Sequence, residues 1–204
     1  MSHCKALRAF LATDRPAAMV LEDDVEMASD MIALLRGIDW WPRRTNLIKC
    51  DNPGEKPRIL GRSRGKTPTG RDLHQVMLSA AGAGAYLLNR PAATLAVEQC
   101  ENPVLPMDVA LFDLRRSEAA RKLRPLQVVP AMAIHDHSDS DLQAARLRHG
   151  PARHRQPRLL RRIAGSLAQK ARVFGLRAVG RARRYEVPFL VDGPVSAVDR
   201  KQRR

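Results

Sequence analysis

An apolar run that ends in three adjacent carboxylates constrains this chain more than any other feature. Ala17–Leu21 is followed directly by Glu22, Asp23 and Asp24. Five apolar residues are typical of a strand buried on both faces of a parallel sheet. Adjacent acids repel one another when a fold crowds them, and open α/β sheets bind ligands at the carboxyl ends of their strands. The pattern therefore favours a bound divalent cation, Mg²⁺ or Mn²⁺. A solvated acidic turn that caps the next helix is the alternative, and both interpretations stay open.

Short apolar strands alternate with helical patterns from residue 3 to about 130, which predicts an α/β fold. Residues 51–72 are rich in glycine, proline, lysine and arginine, and we expect them to form a long surface loop. Residues 101–113 are expected to form a second loop, around Asp108. The predicted helices are 3–12, 27–37 and 91–100, and the predicted strands are 17–21, 46–50, 83–89 and 126–129.

The excess of positive charge is confined to one segment. The chain carries 36 Lys and Arg against 21 Asp and Glu. Residues 143–185 contain 13 of these basic residues and no acid, whereas residues 1–142 contain 19 basic and 18 acidic residues. We therefore predict a nearly neutral domain over 1–142 and a basic helical extension over 143–204. Arguments about anionic partners concern the extension and not the fold as a whole.

The extension carries an amphipathic pattern that predicts a helix over about 158–184. We expect this helix to bind anionic phospholipid at the inner membrane. A helix that packs on the domain with a solvated basic face is the alternative. Nucleic acid is a disfavoured partner, because one aromatic residue, Phe174, before Tyr185 is too few for a stacking platform. The apolar positions that recur at steps of three and four are Leu160, Ile163, Leu167, Ala171, Phe174 and Ala178.

Cysteine usage and the absence of long apolar segments predict a cytoplasmic protein. Cys4, Cys50 and Cys100 are widely spaced and odd in number. This spacing indicates neither a metal site nor a disulfide framework, and it is typical of a reducing compartment. No stretch approaches the ~20 apolar residues of a membrane span, and the amino terminus lacks the apolar core of a secretion signal.

Several short motifs follow one another in an order that resembles a known family. They are Ser-His at 2–3, Ala-Leu-Arg-Ala-Phe at 6–10, Val-Leu-Glu-Asp-Asp-Val at 20–25, and the stretches 46–51, 84–93 and 106–108. The set resembles glycosyltransferase family 25, the bacterial lipooligosaccharide sugar transferases related to collagen galactosyltransferases, over about residues 2–140. The resemblance implies a GT-A-like nucleotide-binding domain with an incomplete, mostly parallel sheet. The family's first strand and helix have no counterpart before Ser2, which implies either a wrongly assigned start or a truncated copy.

The resemblance also implies an activity and roles for individual residues. The activity is transfer of a sugar from a nucleotide-sugar donor, expected to be UDP-galactose, to a lipopolysaccharide-type glycan or glycolipid. Asp24 is the implied ligand of Mn²⁺ or Mg²⁺ and Glu22 the implied contact to the nucleotide, because alternate residues of an extended backbone share one side. Asp23 is the second candidate for nucleotide binding. Asp108 matches the family's Pro-x-Asp and is the implied general base for the acceptor hydroxyl; a turn or helix cap is the alternative.

Two histidines are candidates for completing the metal shell, since neutral imidazole is an acceptable ligand of Mn²⁺. They are His135 and His137, and the sequence does not choose between them; an exposed polar turn is the alternative for each. His3 is expected to be structural, because it lies at a helix start. Three basic residues of the predicted loop are candidates for contacts with a donor phosphate, although a solvated loop is the commoner explanation: Arg62, Arg64 and Lys66.

Three kinds of function therefore remain open at this stage. A metal-dependent glycosyltransferase is favoured by the acidic triplet and by the ordered resemblance. A non-catalytic binding protein or relic of the same fold is the second. An adaptor that binds a membrane or nucleic acid through residues 143–185 is the third.

Overall fold

A seven-stranded mixed sheet lies at the centre of the computed structural model, which describes residues 2–52, 57–80, 82–101, 103–135 and 159–191. In the last of these ranges the side chains are described from residue 167 onward. The strand order of the sheet is β1-β6-β3-β7-β5-β4-β9, and β2 and β8 form a separate two-stranded ribbon. The strands are β1 Ala17–Leu21, β2 Val25–Met27, β3 Leu47–Lys49, β4 Arg58–Lys66, β5 Asp72–Val76, β6 Ala85–Asn89, β7 Leu126–Val129, β8 Ala133–His135 and β9 Ala182–Tyr185.

The α/β class is confirmed, but the prediction of a mostly parallel sheet is wrong. Among the described strand pairs of the sheet, β3 and β7 are parallel and the others are antiparallel. An apolar run reports that a strand is covered on its faces, and it carries no information about the direction of the neighbouring strand. β1 also differs from its expected burial. It lies at the edge of the sheet beside β6, and its last residue, Leu21, is 41% exposed.

Helices cover one face of the sheet. They are α1 Ser2–Leu11, α2 Arg90–Glu101, α3 Met107–Phe112 and α4 Glu118–Leu123. Tyr86 and Leu88 of β6 point into the core beneath these helices, and the alternating residues Ala85 and Leu87 point into the core on the opposite face. A short 3₁₀ helix, Ser29–Leu35, covers that second face where the sequence predicted an α-helix over 27–37. The helix predictions for 3–12 and 91–100 are confirmed.

Residues 51–72 were predicted to be a surface loop, and this prediction is wrong for residues 58–66, which form a strand. β4 spans nine of these residues and pairs with β5 on one side and β9 on the other. β4 lacks the apolar residues by which a strand is recognised in a sequence. Glycines and arginines take their place, at closely packed or exposed positions. A Cβ atom on Gly61, for example, would lie 3.2 Å from the Met77 sulfur. Pairing with β5, which follows after a short turn, and with the distant β9 stabilises a strand of low intrinsic propensity.

The basic extension contains one further helix, α5 Leu159–Ala178. The predicted helix continued to 184, but the chain turns at Gly180, which has a φ of 67°, and then forms β9. Val187 lies in the main core, and the Leu190 carbonyl accepts a hydrogen bond from Arg71. Residues 182–191 therefore belong to the same sheet and core as the first 135 residues, and the boundary predicted at 142 does not separate them. Within the described ranges, none of the helices combines the length and the apolarity needed to cross a bilayer.

A disulfide joins Cys4 of α1 to Cys100 of α2. The prediction that the cysteines form no disulfide is therefore wrong. The two residues are 96 positions apart and meet because the two helices pack side by side, which spacing along the chain does not reveal. Since disulfides are typical of oxidising compartments, the cysteines no longer support a reducing location.

Candidate metal centre

The three carboxylates that follow β1 form a turn instead of continuing the strand. Asp23 and Asp24 are turn residues, and the backbone N–H of Glu22 donates to the Gly84 carbonyl at 2.7 Å. The turn leads into β2, which pairs with β8 so that Val25 faces His135. The two-stranded ribbon thus brings His135 of a distant segment to the acidic turn. Asp23 is exposed.

Glu22, Asp24 and His135 converge on one point. The Nδ1 atom of His135 lies 3.4 Å from Oδ1 of Asp24 and 3.9 Å from Oε2 of Glu22. One ligand atom from each residue falls within 4.8 Å of the other two. Two ligands of one Mg²⁺ or Mn²⁺ ion, each about 2.1 Å from it, lie at most about 4.2 Å apart. Small adjustments of the two half-exposed carboxylates therefore suffice to place all three ligands around one ion.

A fully buried carboxylate, Asp51, lies behind the ring of His135. Its Oδ1 atom accepts a hydrogen bond from Lys49 Nζ at 2.6 Å. Its Oδ2 atom is buried, has no hydrogen-bond partner among the described residues, and lies 3.8 Å from His135 Nε2. That distance is about 1 Å longer than a hydrogen bond. Metal-ligating histidines almost always donate their second ring N–H to a carboxylate or carbonyl, and the position of Asp51 fits such a partner.

Gly84 makes room for the imidazole ring. A Cβ atom at this position would lie 2.6 Å from His135 Nε2 and 2.9 Å from Val25 Cγ1. Both distances are shorter than non-bonded contacts allow, so a side chain here and the observed ring position exclude each other. Gly84 therefore fixes the space in which His135 lies between Asp51 and the acidic turn.

We expect Gly84→Ala to lower the free energy of unfolding by about 1–3 kcal/mol, as overpacking of a filled site does. The His135 ring must move to accept the methyl group, so its NMR signals should shift as well. Denaturant unfolding and histidine NMR spectra measure the two effects. Gly37→Ala is the matched control, because a Cβ there meets nothing within 4 Å, and it should change stability by less than about 0.5 kcal/mol. Equal effects of the two substitutions would contradict the packing argument.

His3 of α1 holds Glu22 from the other side. Its Nε2–H donates to Glu22 Oε1 at 2.9 Å, and its Nδ1 accepts from the Tyr86 hydroxyl at 3.0 Å. The hydrogen bond from His3 holds the pKa of Glu22 below its ordinary value, although partial burial opposes this effect. Burial raises the pKa of Tyr86, so its hydroxyl stays a donor. Glu22 is thereby kept ionised, with Oε1 bound to His3 and Oε2 directed toward His135.

Lys49 connects this cluster to Asp108. The Lys49 side chain is fully buried, and its Nζ donates to Asp51 and, at 2.8 Å, to the Gly82 carbonyl. Burial lowers the pKa of Lys49, while the charge of Asp51 acts in the opposite direction. The N–H of Gly82 in turn donates to Oδ2 of Asp108 at 3.2 Å. Asp108 lies in the first turn of α3 but binds a residue 26 positions earlier, so it is not a cap of its own helix.

The predicted site residues therefore divide into distinct groups. Glu22, Asp24 and His135 come together directly, and Asp108 is joined to them through Gly82 and the Lys49–Asp51 pair. Asp23 lies outside the three-ligand group, and His137 lies outside the described residues. The basic residues of β4 are separated from β3 by β7 and β5. Lys66 binds Asp72 and Arg64 binds Gln75, both on the neighbouring β5, while Arg62 lines a groove with Arg181 and Arg183.

Sequence reasoning missed Lys49, Asp51, His3 and Tyr86, whose side chains surround the candidate ligands. One usable signal was present, since Lys49 and Asp51 are charged residues at alternate positions of an otherwise apolar strand segment. Charges on the inner side of such a segment must be paired in the fold. His3 and Tyr86 carry no comparable signal, because they meet only through the packing of α1 on β6.

Comparisons with known proteins do not identify a function for this chain. No protein-family model and no curated protein matches the chain. The resemblance to glycosyltransferase family 25 therefore stays a prediction. What can be argued further rests on the contacts among the described residues.

Proposed function

We propose that this chain is a metal-dependent glycosyltransferase in which Glu22, Asp24 and His135 hold one divalent cation, Mn²⁺ or Mg²⁺. The convergence of these three ligand atoms, with the unpaired carboxylate oxygen of Asp51 behind the histidine, carries the proposal. When bound, the ion neutralises charge on the diphosphate of a nucleotide sugar as the sugar departs. The ordered motifs that resemble family 25 support UDP-galactose as the donor and a lipopolysaccharide-type glycan as the acceptor.

The surrounding residues position the ligands. With the ion bound, Asp51 would accept the Nε2–H of His135 after closing the 3.8 Å separation, which would leave the Nδ1 lone pair directed at the acidic turn. Lys49 fixes Asp51 for this task, and His3 fixes Glu22. In this arrangement Glu22 is a metal ligand, a different role from the nucleotide contact that the sequence resemblance implied.

Asp108 acts as the general base in this proposal. Its carboxylate takes the proton of the acceptor hydroxyl while that oxygen attacks the sugar. The Gly82 N–H holds the carboxylate beside the Lys49–Asp51 pair, and α3 supplies the rigid backbone from which it projects. The location proposed for this activity is the cytoplasmic face of a membrane, where a glycolipid acceptor is accessible; the Cys4–Cys100 disulfide is atypical of that compartment and counts against it.

Metal binding by the full chain tests the proposal. We expect wild type to bind about one Mn²⁺ per chain by titration calorimetry, and UDP-galactose to bind only with Mn²⁺ present. Asp24→Asn should weaken Mn²⁺ binding by more than the 10–100-fold that loss of an outer-shell partner costs. Asp23→Asn removes the same charge from the adjacent exposed position and is the matched control, so it should leave Mn²⁺ affinity nearly unchanged.

Three results would contradict the proposed function. If wild type binds no Mn²⁺, or if both substitutions weaken binding equally, the acidic turn is a solvated turn and not a ligand set. If Mn²⁺ binds at this site but UDP-galactose and other nucleotide sugars do not, the chain is a metal-binding relative without transferase activity.

A further inference from the structure

Over residues 167–178, where its side chains are described, α5 contacts the sheet through one side of the helix. Gln169 is buried and its Nε2 donates to the Met77 carbonyl at 2.6 Å. Val173 is buried against Met77, and Leu176 packs on the same small cluster beside Ile59. These contacts occupy the inner side of the helix, and the strand that follows, β9, ties its end to β4.

The outer side of α5 carries an apolar stripe that the body of the protein leaves exposed. Leu167, Ala171, Phe174 and Ala178 recur at steps of four, three and four, so they share one side of the helix. Leu167 is 59% exposed and Phe174 is 76% exposed. Angular spacing of 100° per residue places this stripe almost opposite Gln169, Val173 and Leu176. The sequence left two interpretations of this helix open, packing on the domain and binding to a surface. One side of the helix packs on the domain, and the other side is exposed and available for binding.

Exposed cations lie near the stripe. Lys170 and Arg177 lie on one side of it, Arg172 lies farther round the helix on the other side, and Arg181 follows the end of α5. The segment 143–185 contains no acidic residue that would offset them. A partner for this surface must therefore be anionic and must also accept a phenylalanine and a leucine side chain. A bilayer with anionic phospholipid meets both requirements.

We infer that α5 binds an anionic phospholipid bilayer through its outer stripe while its Gln169 side stays docked on the sheet. Phe174 and Leu167 enter the interface between headgroups and acyl chains, and Lys170 and Arg177 beside them contact lipid phosphates. Nucleic acid would satisfy the cations but would leave both apolar side chains in water. The inference does not depend on the metal site, because none of its residues belongs to it.

Vesicle sedimentation with the full chain tests this surface. Wild type should bind vesicles containing roughly one-third phosphatidylglycerol and should bind pure phosphatidylcholine at least about tenfold more weakly, near 0.1 M salt. The double variant Leu167→Ser, Phe174→Ser should bind phosphatidylglycerol vesicles at least tenfold more weakly than wild type, since about 1.4 kcal/mol of lost apolar burial corresponds to tenfold. Far-UV circular dichroism and the urea midpoint verify that this variant is folded.

Ile32→Ser provides the matched control. Ile32 is 60% exposed, nearly the same as Leu167, but it lies on the 3₁₀ helix and not on α5. Its replacement should change vesicle binding by less than about twofold, in contrast to the loss expected for the α5 variant. A loss equal to that of the α5 variant would overturn the inference, because the bilayer would then contact another side of the molecule.

Other outcomes would also overturn the inference. If wild type binds duplex DNA but not anionic vesicles, the partner of the exposed cations is nucleic acid and not a bilayer. A folded double variant with undiminished vesicle binding would show that charge alone attracts the protein and that the stripe has another partner.

Discussion

Asp51→Ala is expected to lower the free energy of unfolding by about 3–5 kcal/mol, because it leaves the Lys49 ammonium buried without its counter-ion. Both side chains are fully buried, and the 2.6 Å contact between Lys49 Nζ and Asp51 Oδ1 is the interaction that offsets their desolvation. The Gly82 carbonyl remains as a neutral acceptor for Lys49, but it carries no net charge. Urea-induced unfolding followed by circular dichroism measures the loss.

Two further variants separate the charge effect from the loss of side-chain volume. Lys49→Met, Asp51→Ala removes both charges and should recover most of the lost stability, since a buried ion pair is often replaceable by apolar residues. Asp72→Ala breaks the exposed Lys66–Asp72 pair and should cost less than about 1 kcal/mol. The explanation fails if Asp51→Ala resembles Asp72→Ala, or if the double variant is no more stable than Asp51→Ala. If Asp51→Ala does not fold at all, a folded double variant still establishes the effect of the isolated charge.

The locations of the buried strands could be predicted from the sequence, because strands covered on both faces appear as short apolar runs. This holds for β3, β6 and β7, whose predicted positions overlap the observed ones closely. β4 could not be predicted in the same way. Its residues Arg62, Ser63 and Arg64 face solvent, and it pairs on one side with β5 and on the other with β9, which is near it only in the folded protein.

The candidate site could be predicted where its residues are adjacent in sequence or carry metal-binding chemistry. Glu22 and Asp24 follow an apolar strand, and His135 belongs to a polar stretch after the last core strand. The residues that support them are distant partners, as shown by His3, which contacts Glu22 and Tyr86 across 19 and 83 positions. Such contacts depend on how α1 packs on β6, and no local pattern specifies that packing.

Loss of the Cys4–Cys100 disulfide is expected to lower the free energy of unfolding by about 4 kcal/mol in the double variant Cys4→Ser, Cys100→Ser. The crosslink joins residues 96 positions apart. A loop of this length loses much conformational entropy in the unfolded chain, so the disulfide destabilises the unfolded state strongly. Thermal and urea unfolding of wild type and variant measure the difference. The variant should still fold, because Leu7 and Phe10 anchor α1 in the core.

Reductant supplies the control for this prediction. It should lower the stability of wild type to that of the double variant and should leave the variant unchanged, since the remaining cysteine, Cys50, is buried and unpaired. The comparison separates the crosslink from the two serine side chains, which are absent in reduced wild type. A wild-type protein whose unfolding midpoint is the same with and without reductant would contradict the crosslink's role. In that case the packing of α1 on α2, and not the covalent bond, would hold His3 beside Glu22.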